Sequence, residues 1–156
     1  MNILVLCTGN SARSILLEAI LGADPRVTAF SAGSTPAGRV HPAALALLDR
    51  KGIATGGFRS KSWDEFGGPD APEMDAVITV CGNAAGEVCP VWPGTPLRAH
   101  WGVEDPAAAP EPEWETAFET AWTRLLARGE ALLALDIAAM PREDLQSALT
   151  RIGRTP

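Results

Sequence analysis

The sequence predicts a single-domain α/β fold, a three-layer sandwich around a small parallel sheet of about four strands. Three observations carry this. Short apolar runs rich in Ile, Leu and Val alternate along the chain with segments of helical periodicity, the pattern of a parallel sheet covered by helices. Two of the three cysteines, Cys7 and Cys81, directly follow such runs, at the sheet edge where α/β folds place their ligands. A length of 156 residues suits one domain whose core needs no covalent staples.

Residues 2–6 (NILVL) form the first expected strand, ended by a polar, Gly-containing loop. That loop, CTGNSARS (7–14), runs into a helix carrying Ile15, Leu16, Ala19 and Ile20 and ending near Gly22. Arg26 to Phe30 reads as a second strand, with SAGSTPAG after it as a turn-rich loop. His41 to Lys51 places Ala44, Leu45, Leu47 and Leu48 at helical spacing, and Gly52 is its C-terminal stop. Asp75 to Val80 (DAVITV) is the clearest strand; segment 82–96 is loop-like, rich in Gly and Pro; Leu97 to His100 is a further short strand. Glu113 to Ala139 reads as one long amphipathic helix with Trp114, Phe118, Trp122, Leu125 and Leu126, extended by Leu132, Leu133 and Ile137. Residues 1–140 are therefore the domain. Residues 141–156 are expected to be a C-terminal tail or a short helix started by Pro141, fraying from residue 153 and carrying no assigned function.

A formal net charge of −6 with no run of Lys or Arg argues against a nucleic-acid partner. It also means that any anion site must be made locally positive by backbone N–H groups and one or two arginines. No stretch reads as a secretory signal or approaches the roughly 20 apolar residues of a membrane span, so a cytoplasmic location is expected. An odd number of cysteines there does not suggest a structural disulfide set. Three cysteines, two histidines and no Cys-x2-Cys spacing make a poor zinc site, and no metal centre is expected. His41 and His100 read as a helix-start and a loop residue, and the five tryptophans as packing.

Cys7-Thr-Gly-Asn-Ser-Ala-Arg13 is a Cys-x5-Arg element between a strand and a helix. The bare pattern is weak; its placement makes it specific. Five intervening residues can curl so that the amides of Thr8, Gly9, Asn10, Ser11 and Ala12 converge on one tetrahedral oxyanion. The following helix adds its N-terminal partial charge, and Arg13 offers a planar, bidentate grip. The same field favours a thiolate at Cys7, to which Ser14 could donate a hydrogen bond. The plain reading of each cysteine, taken alone, is a buried packing residue.

CTGNSARS, SAG (31–33), VITVC (77–81) and HWGVEDPA (100–107), in that order, resemble the arsenate reductases built on the low-molecular-weight protein tyrosine phosphatase fold. HWG-x-x-DPA is the most discriminating part. The resemblance implies a low-molecular-weight phosphatase-like sheet and a three-cysteine relay. Cys7 forms a thiol–arsenate adduct, with Asp105 of the DP motif protonating the leaving oxygen. Cys81 then attacks Cys7 and releases arsenite, and Cys89 carries the disulfide outward as Cys81–Cys89. A dithiol reductant, thioredoxin or else glutaredoxin with glutathione, restores the thiols. Without the resemblance, Asp105 reads as a turn residue before Pro106. Seven residues separate Cys81 from Cys89, one more than in the best-known form of the family.

The resemblance implies no tightly bound cofactor. Some members bind a monovalent cation through side chains matching Asn10, Glu18 and Ser31, with Ser62 or Asp64 near the place of a fourth, acidic ligand. A monomer is expected. The nearest alternative is a low-molecular-weight tyrosine phosphatase, but the chain has no tyrosine and Ala107 follows Pro106 where an aromatic grip on phosphotyrosine is usual. Weak activity on small phosphate esters is compatible with the same loop. A third reading is a non-catalytic oxyanion-binding or redox-sensing module using the same disulfide.

Overall fold

A computed structural model describes residues 1–81 and 95–156. Its strands are β1 (Asn2–Cys7), β2 (Thr28–Gly33), β3 (Ala76–Thr79) and β4 (Leu97–His100). They form one parallel sheet in the order β2-β1-β3-β4. Successive side chains of a strand point to opposite faces, and β1 shows the consequence. Ile3 and Val5 join a large cluster with α1 (Arg13–Gly22), α2 (Pro42–Arg50), α3 (Trp114–Leu133) and α4 (Arg142–Gly153). Leu4 and Leu6 join a smaller cluster on the other face with Ala32, Phe66, Met74 and Val77, part of it lying on a 3₁₀ turn, Trp63–Phe66. This is the layered α/β sheet that the alternating pattern predicts.

The order of the strands positions the site. The chain leaves β1 for β2 on one side and returns to β3 on the other, so the carboxyl ends of β1 and β3 lie side by side at the switch. The register pairs Leu6 with Thr79. Cys7 and Cys81 therefore leave the sheet as neighbours.

Two elements differ from the sequence expectation, and so does the end of the chain. The second strand runs Thr28–Gly33, so the SAG segment is strand and not turn; Ser31, Ala32 and Gly33 pair with Val5, Leu6 and Cys7. The long helix stops at Leu133, six residues early. There the Arg26 guanidinium donates to the Leu133 carbonyl, an orphan acceptor of the helix end, and to the Leu135 carbonyl just beyond it. Pro141 starts a new helix, α4, whose Leu145, Ala148, Leu149 and Ile152 are buried. The end of the chain is pinned, because buried Arg128 donates to Thr155 O at 2.8 Å and to Gly102 O at 3.0 Å. Segment 82–94, with Cys89, lies outside the described residues. No described helix is long and apolar enough to cross a membrane.

Candidate active site

Cys7 ends β1 and Arg13 begins α1, so residues 8–12 make the turn between them. Asn10 sits at φ +46, a left-handed conformation that asparagine tolerates better than most residues. The carbonyls of the turn face the segment after β2 and its surroundings. Thr8 O accepts from Thr35 N at 3.0 Å, Gly9 O from Ala37 N at 2.9 Å and Ser60 Oγ at 3.1 Å, and Ser11 O from His41 N at 2.8 Å. In a planar trans peptide the next N–H points the opposite way. The amides of Gly9, Asn10 and Ala12 are thereby turned inward, and Asn10 N donates to Cys7 Sγ at 3.2 Å. No side chain caps the start of α1 at Ala12, so its first-turn donors remain available to an anion.

Gly33 is where β2 meets this loop. A Cβ there would lie 2.4 Å from Thr8 O, 2.9 Å from Cys7 O and 3.0 Å from Asn10 N, all backbone atoms. Gly33→Ala is expected to cost about 1–3 kcal/mol and to shift the loop. Urea midpoints of the variant and wild type check this; an unchanged midpoint would contradict the close approach.

Behind the sulfur runs a chain of hydrogen bonds whose direction can be worked out. Lys61 N, which can only donate, bonds Asn10 Oδ1 at 2.9 Å and so fixes the amide's orientation. Asn10 Nδ2 then donates to Ser14 Oγ at 2.8 Å and Ser31 Oγ at 2.9 Å. Ser31 Oγ donates to Glu18 Oε1. Ser14, having accepted from Asn10, keeps its own hydrogen for Cys7 Sγ at 2.9 Å. Cys7, Asn10, Ser14 and Ser31 are all buried. A thiolate at Cys7 thus has two donors waiting, Ser14 Oγ and Asn10 N.

Arg13 Nη1 donates to Val103 O at 2.9 Å, and Nη2 lies 3.7 Å from Asp105 Oδ2. Asp105 is half-exposed and its Oδ1 accepts from Ala107 N at 3.0 Å, capping the turn that Pro106 begins. The aspartate is therefore both a turn residue and a partner of Arg13. Cys81, buried like Cys7, lies against the loop, with Thr8 N and Thr8 Oγ1 at 3.4 and 3.5 Å from its sulfur. Cys7, Thr8, Gly9, Asn10, Ser11, Ala12, Arg13, Ser14, Cys81 and Asp105 thus come together, and Cys89 lies outside the described residues. His41 is set apart from sulfur chemistry: its Nδ1 caps α2 by accepting from Ala43 N, its ring packs on Trp114 and Phe118, and burial lowers its pKa.

The sequence reading missed Ser60 and Lys61, which brace Gly9 and Asn10. A short polar stretch, RSKS (59–62), carries no signal that separates it from a surface turn.

The family described as low molecular weight phosphotyrosine protein phosphatase matches residues 2–143. An arsenate reductase of Halalkalibacterium halodurans is 39% identical over 108 residues, covering 67% of this chain and 73% of that protein. One of Bacillus subtilis is 36% identical over 114 residues, 70% of this chain and 77% of that one. Among solved structures, an arsenate reductase from Archaeoglobus fulgidus superposes with a TM-score of 0.62 at 27% identity, over 82% of this chain and 98% of that chain. A thioredoxin-dependent arsenate reductase from Corynebacterium glutamicum gives 0.56 at 27% identity, over 80% of this chain and 57% of that one. With its strand–loop–helix Cys-x5-Arg turn and its sheet order, the chain belongs to the low molecular weight phosphotyrosine protein phosphatase family and is similar, within it, to arsenate reductases.

Proposed function

We propose that this chain reduces arsenate to arsenite through a disulfide relay that starts at Cys7. The observation that carries the reading is the second buried sulfur, Cys81, set against the anion loop at Thr8. Phosphate-ester hydrolysis needs one nucleophile and an acid, and gives such a sulfur no task.

The proposed reaction is the relay that the family resemblance implies. Loop amides and Arg13 hold arsenate, and the Cys7 thiolate, supported by Ser14 and Asn10, attacks arsenic. Asp105, beside Arg13, gives a proton to the oxygen that leaves as water. The Cys81 thiolate then attacks Cys7 Sγ. A sulfur–sulfur bond forms, the sulfur–arsenic pair stays on arsenic, and As(V) becomes As(III). Two thiols have lost two electrons and arsenite leaves. Cys89 next attacks Cys81, returning the Cys7 thiolate, and an external dithiol reduces the Cys81–Cys89 disulfide. Thioredoxin is the favoured reductant, supported by the thioredoxin dependence of the Corynebacterium glutamicum relative.

A single turnover tests this. Reduced protein mixed with arsenate, without reductant, is expected to release one arsenite and lose two thiols per chain, with peptide mapping giving a Cys81–Cys89 disulfide. Arsenite release without thiol loss would sink the relay. In Cys89→Ala the same experiment is expected to trap Cys7–Cys81 and to stop there even when thioredoxin is supplied; sustained cycling by that variant would remove Cys89 from the scheme.

A further inference from the structure

The hydrogen-bond chain behind Cys7 ends in a charge pair. Glu18, on α1, has a side chain only 16% exposed; burial raises its pKa, against the pull of the Ser31 hydroxyl and the Lys61 charge. Facing it is Lys61, with a side chain only 9% exposed, its Nζ 4.0 Å from Glu18 Oε1 and donating to Arg59 O at 3.0 Å. Burial lowers the Lys61 pKa, and the Glu18 carboxylate opposes the shift. Lysines are almost never this buried unless paired, since the flexible stem can carry the ammonium to water. Its pair here is the acid at the end of the Cys7 network.

The monovalent cation implied by the family resemblance needs Asn10, Glu18, Ser31 and a fourth oxygen ligand, and the residues present do not fit it. Asn10 Oδ1 is turned toward the Lys61 N–H, and its amide nitrogen, no ligand for a cation, faces Ser31 and Ser14. Ser62 Oγ accepts from Asp64 N at 3.1 Å to cap the 3₁₀ turn, and the Asp64 side chain is exposed.

We infer that Lys61 is the resident cation of this loop, its ammonium standing beside Glu18 in place of a monovalent metal ion. It acts as a positioning residue. While Glu18 is paired, Ser31 keeps its hydrogen on the carboxylate and its lone pair for Asn10, and Ser14 keeps its hydrogen for Cys7. Without the ammonium, a buried carboxylate is left unpaired and is relieved by turning to water, which releases Ser31 and loosens Asn10. The Lys61 main chain fixes the Asn10 amide from the other side, so one residue secures both ends of the brace.

The inference rests on the proposed reaction only in its kinetic part. The full chain is compared in potassium, sodium and tetramethylammonium chloride at equal ionic strength, reading melting temperature and arsenate kcat and KM. Wild type is expected to behave alike in all three. Lys61→Met, which keeps most of the stem and removes the charge, is expected to melt about 5 °C or more lower in tetramethylammonium. It is also expected to lose about tenfold in kcat with KM little changed. Lys61→Arg should recover most of both losses, and potassium little of either, because Asn10 and Ser62 still offer it no ligand. A saturable, potassium-specific rise in the wild-type melting temperature overturns the inference, as does a Lys61→Met protein that matches wild type in every salt. Should Lys61→Met not fold, the wild-type salt series and Lys61→Arg decide. Melting does not involve arsenate. The expected melting pattern without arsenate turnover would count against the reaction and leave Lys61 in place.

Discussion

Cys7→Ser is expected to abolish arsenite release, a loss of at least about 10⁴-fold, with the fold retained. Serine fits the space, and its hydroxyl can still take the hydrogen bonds that Asn10 N and Ser14 Oγ now give to sulfur. What it lacks is chemical. An alcohol is not ionised in this site, and its oxygen cannot accept attack by Cys81 and become half of a disulfide while arsenite leaves. Direct quantification of arsenite, with a thermal melt to show that the variant is folded, checks this. Appreciable turnover by folded Cys7→Ser protein would remove the relay's first step, and with it the whole scheme.

The second large effect is expected at Asp105. Asp105→Asn should lower arsenate turnover by about 10²–10⁴-fold, the usual worth of a positioned general acid. The substitution is mild for the fold, because asparagine keeps the Oδ1 that caps the Pro106 turn through Ala107 N. It removes the carboxyl group to which the proposal gives proton transfer, whose Oδ2 lies near Arg13 Nη2. The variant also separates an enzyme from a redox sensor. Oxidation of Cys7 and Cys81 by peroxide needs no acid at Asp105, so disulfide formation by that route should proceed at close to the wild-type rate. Arsenate turnover at the wild-type level would strip Asp105 of its role and favour the sensor reading.

The features that position the site were largely legible in the residues. Cys7 and Arg13 could be placed because a buried strand leads into one and a helix out of the other, and each element is legible from its own run of residues. Cys81 followed from the β-branched run before it. The second strand was misread because SAG has turn composition; it is a strand because Val5, Leu6 and Cys7 supply a ladder for it, and Gly33 is the residue that lets the loop come close. The length of α3 was overestimated because helical periodicity continues past Leu133, and only tertiary structure brings Arg26 to the carbonyls that end it. Lys61 was missed for a related reason. A lysine between two serines reads as a solvated turn until Glu18, 43 positions earlier, is folded against it. Local pattern shows what a segment can form; pairing across the sheet and burial of charge come from residues far apart in the chain.

The most direct test of the central claim is arsenate-dependent NADPH oxidation by the purified, fully reduced protein with thioredoxin and thioredoxin reductase, run beside glutaredoxin with glutathione and glutathione reductase. We predict steady NADPH consumption with thioredoxin, matched mole for mole by arsenite and lost in Cys7→Ser. No arsenate-dependent oxidation in either system, with the thiols verified as reduced, would contradict the reductase and leave the phosphatase or the sensor as the account of this site.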